Sequence, residues 1–200
     1  MIPLLGLLAA LSGSQLELGG TLGTGMLVGT GSAAAGRDAG SVDAVRYPRT
    51  WSAWMGYQWL RGHLIGLRYQ QWYAEGTLTH AEDLGSSLTE TLDISTYGIE
   101  YTHLIPMRLA TWRLGGGIGF ASCTDVLDPN ELQVKAVGDG SAVWLRSGVE
   151  VPFGSFRLHT DVSGLWAFFS NMKPVEKIPL AAYKADFPIL QVEVGLALAL

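Results

Sequence analysis

Residues 147–169 read SGVEVPFGSFRLHTDVSGLWAFF. On either side of Pro152-Phe153-Gly154, charged and apolar residues take turns: Glu150 then Val151, and Arg157, Leu158, His159, Thr160, Asp161, Val162 in order. A period of two marks a strand with two unlike faces, and the short stretch between the runs marks a tight turn. The segment therefore predicts an antiparallel hairpin. Which face meets water decides the kind of protein.

Composition narrows the choice. Two hundred residues fit one domain or one closed barrel. Charged residues make up 16% of the chain, low against the ~25% of soluble domains. A net charge of −5 argues against a nucleic-acid partner, which needs a basic face. Twenty-six glycines and seven tryptophans, with many short runs, favour an all-β fold. Cys123 is the only cysteine, so no internal disulfide forms and no nucleophile role is supported.

The first residues, MIPLLGLLAALSGSQ, hold an apolar run too short to span a bilayer as a helix. Small residues follow at Ala10, Ser12 and Ser14, as at a signal-peptide cleavage point, although no Lys or Arg precedes the run. The expectation is a signal peptide over 1–14 and a barrel domain over 15–200. A buried first strand is disfavoured by Pro3 and Gly6.

Eight period-two runs can be marked, at about 16–28, 51–60, 64–74, 92–104, 108–122, 140–151, 155–168 and 187–200. The connections at 29–50, 75–91, 123–139 and 169–186 are long and polar; those at 61–63, 105–107 and 152–154 are short. Long loops at one end and short turns at the other describe an outer-membrane barrel. A lipocalin also has eight strands, but its apolar face points inward.

Three features separate the two. The polar face is small, with a few long charges: Thr111, Arg113, Gly115, Gly117, Gly119 and Ala121 in the fifth run, Gln191, Glu193, Gly195, Ala197 and Ala199 in the eighth. That suits a narrow filled lumen, whereas the lysines a wet surface would carry all fall in the long connections. On the other face lie Leu190, Val192, Val194, Leu196 and Leu198, with aromatics such as Trp51, Tyr57, Tyr101, Trp112, Phe120, Trp166 and Phe187 gathered near strand ends, as in membrane girdles. The last run also ends on a strand, at Leu200. An arginine on the lipid face costs ~2–4 kcal/mol at mid-bilayer, so Arg113, Arg146 and Arg157 are expected inside. Unpaired backbone in lipid forces the sheet to close.

On EVPFGSFRL, the loop and turn alternation and the terminal LQVEVGLALAL, the sequence resembles the small eight-stranded outer-membrane barrels of the OmpA/OmpX-like group, over residues 15–200. The resemblance implies an all-β, eight-stranded antiparallel up-and-down transmembrane β-barrel in the bacterial outer membrane. It implies as partners outer-membrane lipid, lipopolysaccharide and the barrel assembly machinery, and a monomer with both termini on the periplasmic side. Two departures stand out. Leu200 takes the place of the usual terminal aromatic, and a wall-binding domain after it is not expected.

Motifs for chemistry are sparse. GGGIGF at 115–120 lacks the final glycine of a nucleotide loop and matches lumen-facing glycines instead. His159, Asp161 and Ser163 share one strand face, but His159 and Ser163 are about 13 Å apart at ~3.3 Å per residue. Some barrels of the resembled kind modify lipid A; their His-x-Ser-Asn run is absent, and HTDVS stands here. His80 with Glu82 and Asp83, and Asp125, Asp128 and Glu131, read as solvated acidic loops without calcium-loop spacing. No catalytic residue, cofactor or metal site is expected.

The expected site is a lumen polar network of Glu17, Arg68, Glu100, Arg113, Arg146, Glu150, Arg157, His159, Asp161 and Glu193. Turn geometry sets Val151 opposite Phe156, Glu150 opposite Arg157 and Arg146 opposite Asp161. It likewise sets Glu100 opposite Arg113, and Gly56 opposite Arg68. The functional expectation is a structural or surface-binding role through the long loops. The alternatives are a narrow conduit for small or apolar molecules and a lipid A-modifying enzyme.

Overall fold

In the computed structural model, the described residues are 15–28, 42–60, 62–79, 87–128, 134–175 and 182–200. The predicted signal peptide lies outside them. Eight strands run in chain order: β1 (Gln15–Leu27), β2 (Val42–Leu60), β3 (His63–Thr79), β4 (Ser87–Pro106), β5 (Thr111–Asp128), β6 (Val134–Phe153), β7 (Phe156–Pro174) and β8 (Tyr183–Ala199). Each pairs antiparallel with its chain neighbours, and β1 pairs with β8, so the sheet closes into a barrel. Leu16 and Leu200 exchange backbone hydrogen bonds at the short-turn end.

The outer face carries an apolar belt. Met55, Leu67, Ile99, Ile118, Val143, Val149, Leu158, Val162, Val194 and Leu196 are all exposed on it. Aromatics border the belt: Tyr57, Trp59, Tyr101, Trp112, Phe153 and Phe156 toward the turns, and Trp51, Tyr69, Tyr97, Phe120, Trp166 and Phe168 toward the long connections. The two girdles are eight residue steps apart on β5 (Trp112 to Phe120) and twelve on β7 (Phe156 to Phe168). At ~3.3 Å per residue and a tilt near 40°, these spans rise about 20 and 30 Å, bracketing the ~25 Å apolar band of outer-membrane barrels. A closed sheet with this belt is built to span a bilayer.

Three expectations are corrected. First, the strands run well into the segments read as loops: 42–50, 75–79, 87–91, 123–128, 134–139, 169–174 and 183–186 all belong to strands. Above the upper girdle the sense of alternation inverts. The outer faces there carry Gln71, Tyr73 and Glu75 on β3, Thr91, Asp93 and Ser95 on β4, Ser122 and Thr124 on β5, Lys135 and Asp139 on β6, Lys173 on β7, and Lys184 and Asp186 on β8. The inner faces carry Trp72, Leu92, Ile94, Cys123, Phe169, Met172 and Phe187, all buried. Where lipid covers the outside, the inside can be polar; where water covers it, only an apolar inside supplies burial energy. Asp125, read as a loop residue, is accordingly buried on β5.

Second, Phe187 is not a girdle residue: it is fully buried and meets Phe169 edge-on, ring centroids 5.8 Å apart.

Third, the hairpin registers slip by even steps. Phe153 pairs with Phe156 across a two-residue turn, so Val151 faces Leu158, Glu150 faces His159 and Arg146 faces Ser163. Gly154, at φ +64°, opens that turn, and tight turns of this kind match strand twist better than a wider one. At β4–β5 the turn takes Met107 to Ala110, closed by Met107 N–H donating to Ala110 O at 2.8 Å, so Glu100 faces Gly117 and Arg113 faces Leu104. At β2–β3, Gly56 faces Gly66 and Trp54 faces Arg68. An even slip keeps every side chain on its own face.

Candidate functional site: the filled lumen

Lumen side chains form two storeys. Nearest the turns, four arginines and five carboxylates meet. Glu17, Arg68, Glu100, Arg113, Arg146, Glu150, His159, Asp161 and Glu193 are buried, and Arg157 is half-buried.

Four of these groups close a ring of alternating charge. Arg113 Nη1 donates to Glu17 Oε1 at 3.0 Å and also to Glu150 Oε2. Arg157 Nη1 donates to Glu17 Oε2 at 3.2 Å and to Glu150 Oε1 at 3.3 Å. Each carboxylate thus spends one oxygen on each arginine. Trp54 Nε1 adds a bond to Glu17 at 3.2 Å.

The next layer up centres on Arg146 and Arg68. Arg146 donates to Glu193 Oε2 at 2.8 Å and to Asp161 Oδ2 at 3.3 Å, and its Nε lies 4.0 Å from Glu100. Arg68 Nε donates to Glu100 Oε2 at 2.6 Å and its Nη1 to Ser52 at 2.5 Å. Trp144 Nε1 donates to Glu100 at 2.9 Å, and Thr21 to Glu193 at 2.8 Å. Together the two layers draw on all eight strands.

Of the expected ion pairs, Glu150 with Arg157 and Arg146 with Asp161 are brought together, each one diagonal step off direct opposition. Glu100 and Arg113 are not: Glu100 pairs with Arg68, and Arg113 reaches across to β1 and β6.

Above the charges, Gln70 bonds Gln191, which also accepts from Ser163 Oγ at 3.1 Å. Then comes the apolar storey, with Trp72, Ile94, Trp144, Leu165, Phe169, Met172, Phe187 and Ile189 in one packed cluster. Lumen glycines make room for the large groups. A Cβ on Gly19 would strike the Trp54 indole, one on Gly117 the Trp144 indole, and one on Gly195 the His159 ring. Sequence reading missed Trp54, Trp72 and Trp144 as lumen residues. Their strand parity, shared with Ser52, Gln70 and Arg146, was the available signal.

For catalysis the arrangement offers little. His159 Nδ1 is 2.6 Å from Asp161 Oδ2, and Ser163 is bonded to Gln191 instead. Among the described residues no three metal-ligating side chains converge. His80, Glu82, Asp83 and Glu131 lie outside the described residues, and Asp128 ends β5.

No protein-family model matches the chain, and no curated protein matches it in sequence. Solved structures that share its fold include two small barrels. Neisserial surface protein A superimposes with a TM-score of 0.51 at 7% identity, over 93% of this chain and 96% of that one. A major outer membrane protein from Thermus thermophilus superimposes with a TM-score of 0.61 at 12% identity, over 94% and 100%. At such identities the likeness is one of fold. That fold is the small outer-membrane β-barrel, OmpA/OmpX-like in architecture.

Proposed function

We propose that this chain acts as a closed, monomeric barrel of a bacterial outer membrane, with a structural or surface-binding role carried by the part above the bilayer. The observation that favours this reading is the filled lumen. Arg113 on β5 and Glu17 on β1 join strands on opposite sides of the ring, and an apolar cluster fills the storey above them. A solute would have to part a buried ion pair and then a packed core, two separate costs.

The polar outer walls are the surface left for partners. Glu75 and Asp93 stand on β3 and β4; Lys135, Lys173 and Lys184 stand on β6, β7 and β8. Lipid and lipopolysaccharide would pack against the belt, and the assembly machinery would fold the strands into the membrane. One structural neighbour is named a surface protein, which agrees with this reading. A lipid-modifying activity finds less support, because His159 and Asp161 are buried among the lumen charges rather than open to lipid.

Planar-bilayer recording of the purified barrel is the test. No steady conductance steps are expected, and labelled lipid A should be recovered unchanged. Steady single-channel steps, enlarged by Arg113→Ala, would turn the reading toward a conduit.

A further inference from the structure

His63 and His103 stand on the outer face of the barrel, outside the lumen network. They are direct partners across β3 and β4. Their imidazole centroids are 4.9 Å apart with planes inclined at 43°. Two imidazoles bound to one tetrahedral ion, with metal–nitrogen bonds of ~2.0–2.1 Å, put their centroids about 5 Å apart. We propose that His63 and His103 form a site for a borderline divalent transition-metal ion at the short-turn rim of the barrel.

Two further observations point the same way. His63 Nδ1 lies 2.7 Å from Tyr101 Oη. With Nδ1–H donating to the phenol oxygen, Nε2 carries the lone pair, and ligating histidines are commonly held by such a bond from the other ring nitrogen. His103 Nδ1 is shielded from solvent and has no hydrogen-bond partner among the described residues. A shielded ring nitrogen without a partner is costly, and a bond to a metal removes that cost.

Gly62, at φ +87°, carries no side chain, and a Cβ there would stand 4.0 Å from His103 Nδ1. Tyr101 belongs to the lower girdle, so the pair sits at the edge of the belt beside the turn, within reach of the aqueous phase. Two protein ligands leave the remaining positions to water. Among first-row divalent ions such a nitrogen site favours Cu(II). The sequence hides it, because the two histidines are forty residues apart and show no ligand spacing.

The test is a Cu(II) titration of the untagged, membrane-inserted barrel, read by electron paramagnetic resonance, with His80→Gln in every variant to remove a competing imidazole. One equivalent should show coupling to two nitrogens. His63→Gln or His103→Gln should lose one coupling and weaken binding about tenfold or more, and Tyr101→Phe should weaken it while keeping both couplings. Should a variant fail to insert, the parent barrel decides alone: a spectrum without two-nitrogen coupling overturns the site. Unchanged binding in His63→Gln/His103→Gln overturns it equally.

Discussion

On β5 the guanidinium of Arg113 meets Glu17 of β1 at 3.0 Å, across the full width of an eight-stranded ring. Only a narrow barrel lets one arginine side chain make that reach, and eight strands leave an interior that side chains fill. The same arginine serves Glu150, and Arg157 completes the circuit. Arg113→Met would leave two buried carboxylates with one arginine between them. It should destabilise the barrel by ~3–5 kcal/mol, the cost of stranding a buried charge. Adding Glu17→Gln restores a one-to-one balance with Arg157 and Glu150, so the double variant should be the more stable of the two. Urea unfolding in lipid vesicles, followed by tryptophan fluorescence, measures both. A double variant weaker than the single one would mean the ring is not a charge-balanced unit.

Facing can be tested on adjacent residues. Leu196 is 50% exposed on the outer face, and Ala197 is 1% exposed toward the lumen. Leu196→Arg should lower stability by ~2–4 kcal/mol if near mid-bilayer, and Ala197→Ser should do far less. The same unfolding assay reads both. Equal tolerance would assign the apolar face to something other than lipid.

The height at which water begins is set by the inversion of faces. Single cysteines at Ser95, Ser122 and Ser170, in a Cys123→Ala background, should react with a membrane-impermeant thiol reagent on intact cells. Cysteines at Ile99, Ile118 and Val162 should stay unlabelled. Rapid labelling at Ile118 would place the bilayer elsewhere on the barrel.

Face assignment in the belt was legible because lipid penalises a misplaced charge heavily: Arg113, Arg146 and Glu193 had one side available. Strand length was not legible. In Gln71, Trp72, Tyr73, Ala74, Glu75 the parity continues unbroken, but polar residues turn outward and apolar ones inward, so the run looks like the end of a strand. Direct pairing across the turns was not legible either. Arginine side chains reach diagonal neighbours ~7–8 Å away almost as well as opposite ones, so matching opposite charges does not choose between registers two residues apart. Arg113 shows the limit: its partner on β1 is 96 positions away, and no local pairing rule points to it.

The register of the opening hairpin can be read directly with disulfides. Val149 stands opposite Thr160, and opposite residues of an antiparallel pair have Cα atoms ~4.5–5.5 Å apart, inside the ~4.4–6.8 Å a disulfide spans. The register expected from opposed charges would put Val149 against Leu158, which is instead a diagonal neighbour at ~7–8 Å, beyond that range. All three residues face outward, so cysteines there leave the lumen network untouched. In a Cys123→Ala background, Val149→Cys/Thr160→Cys should cross-link with diamide after folding, and Val149→Cys/Leu158→Cys should not, as read by mass spectrometry of alkylated digests. The two-residue turn at Gly154-Ser155 is what fixes this outcome. Lengthening it by two residues should move cross-linking toward other partners without changing which face each residue occupies. A cross-link in the Leu158 pair alone would restore the charge-matched register and set Arg146 directly against Asp161.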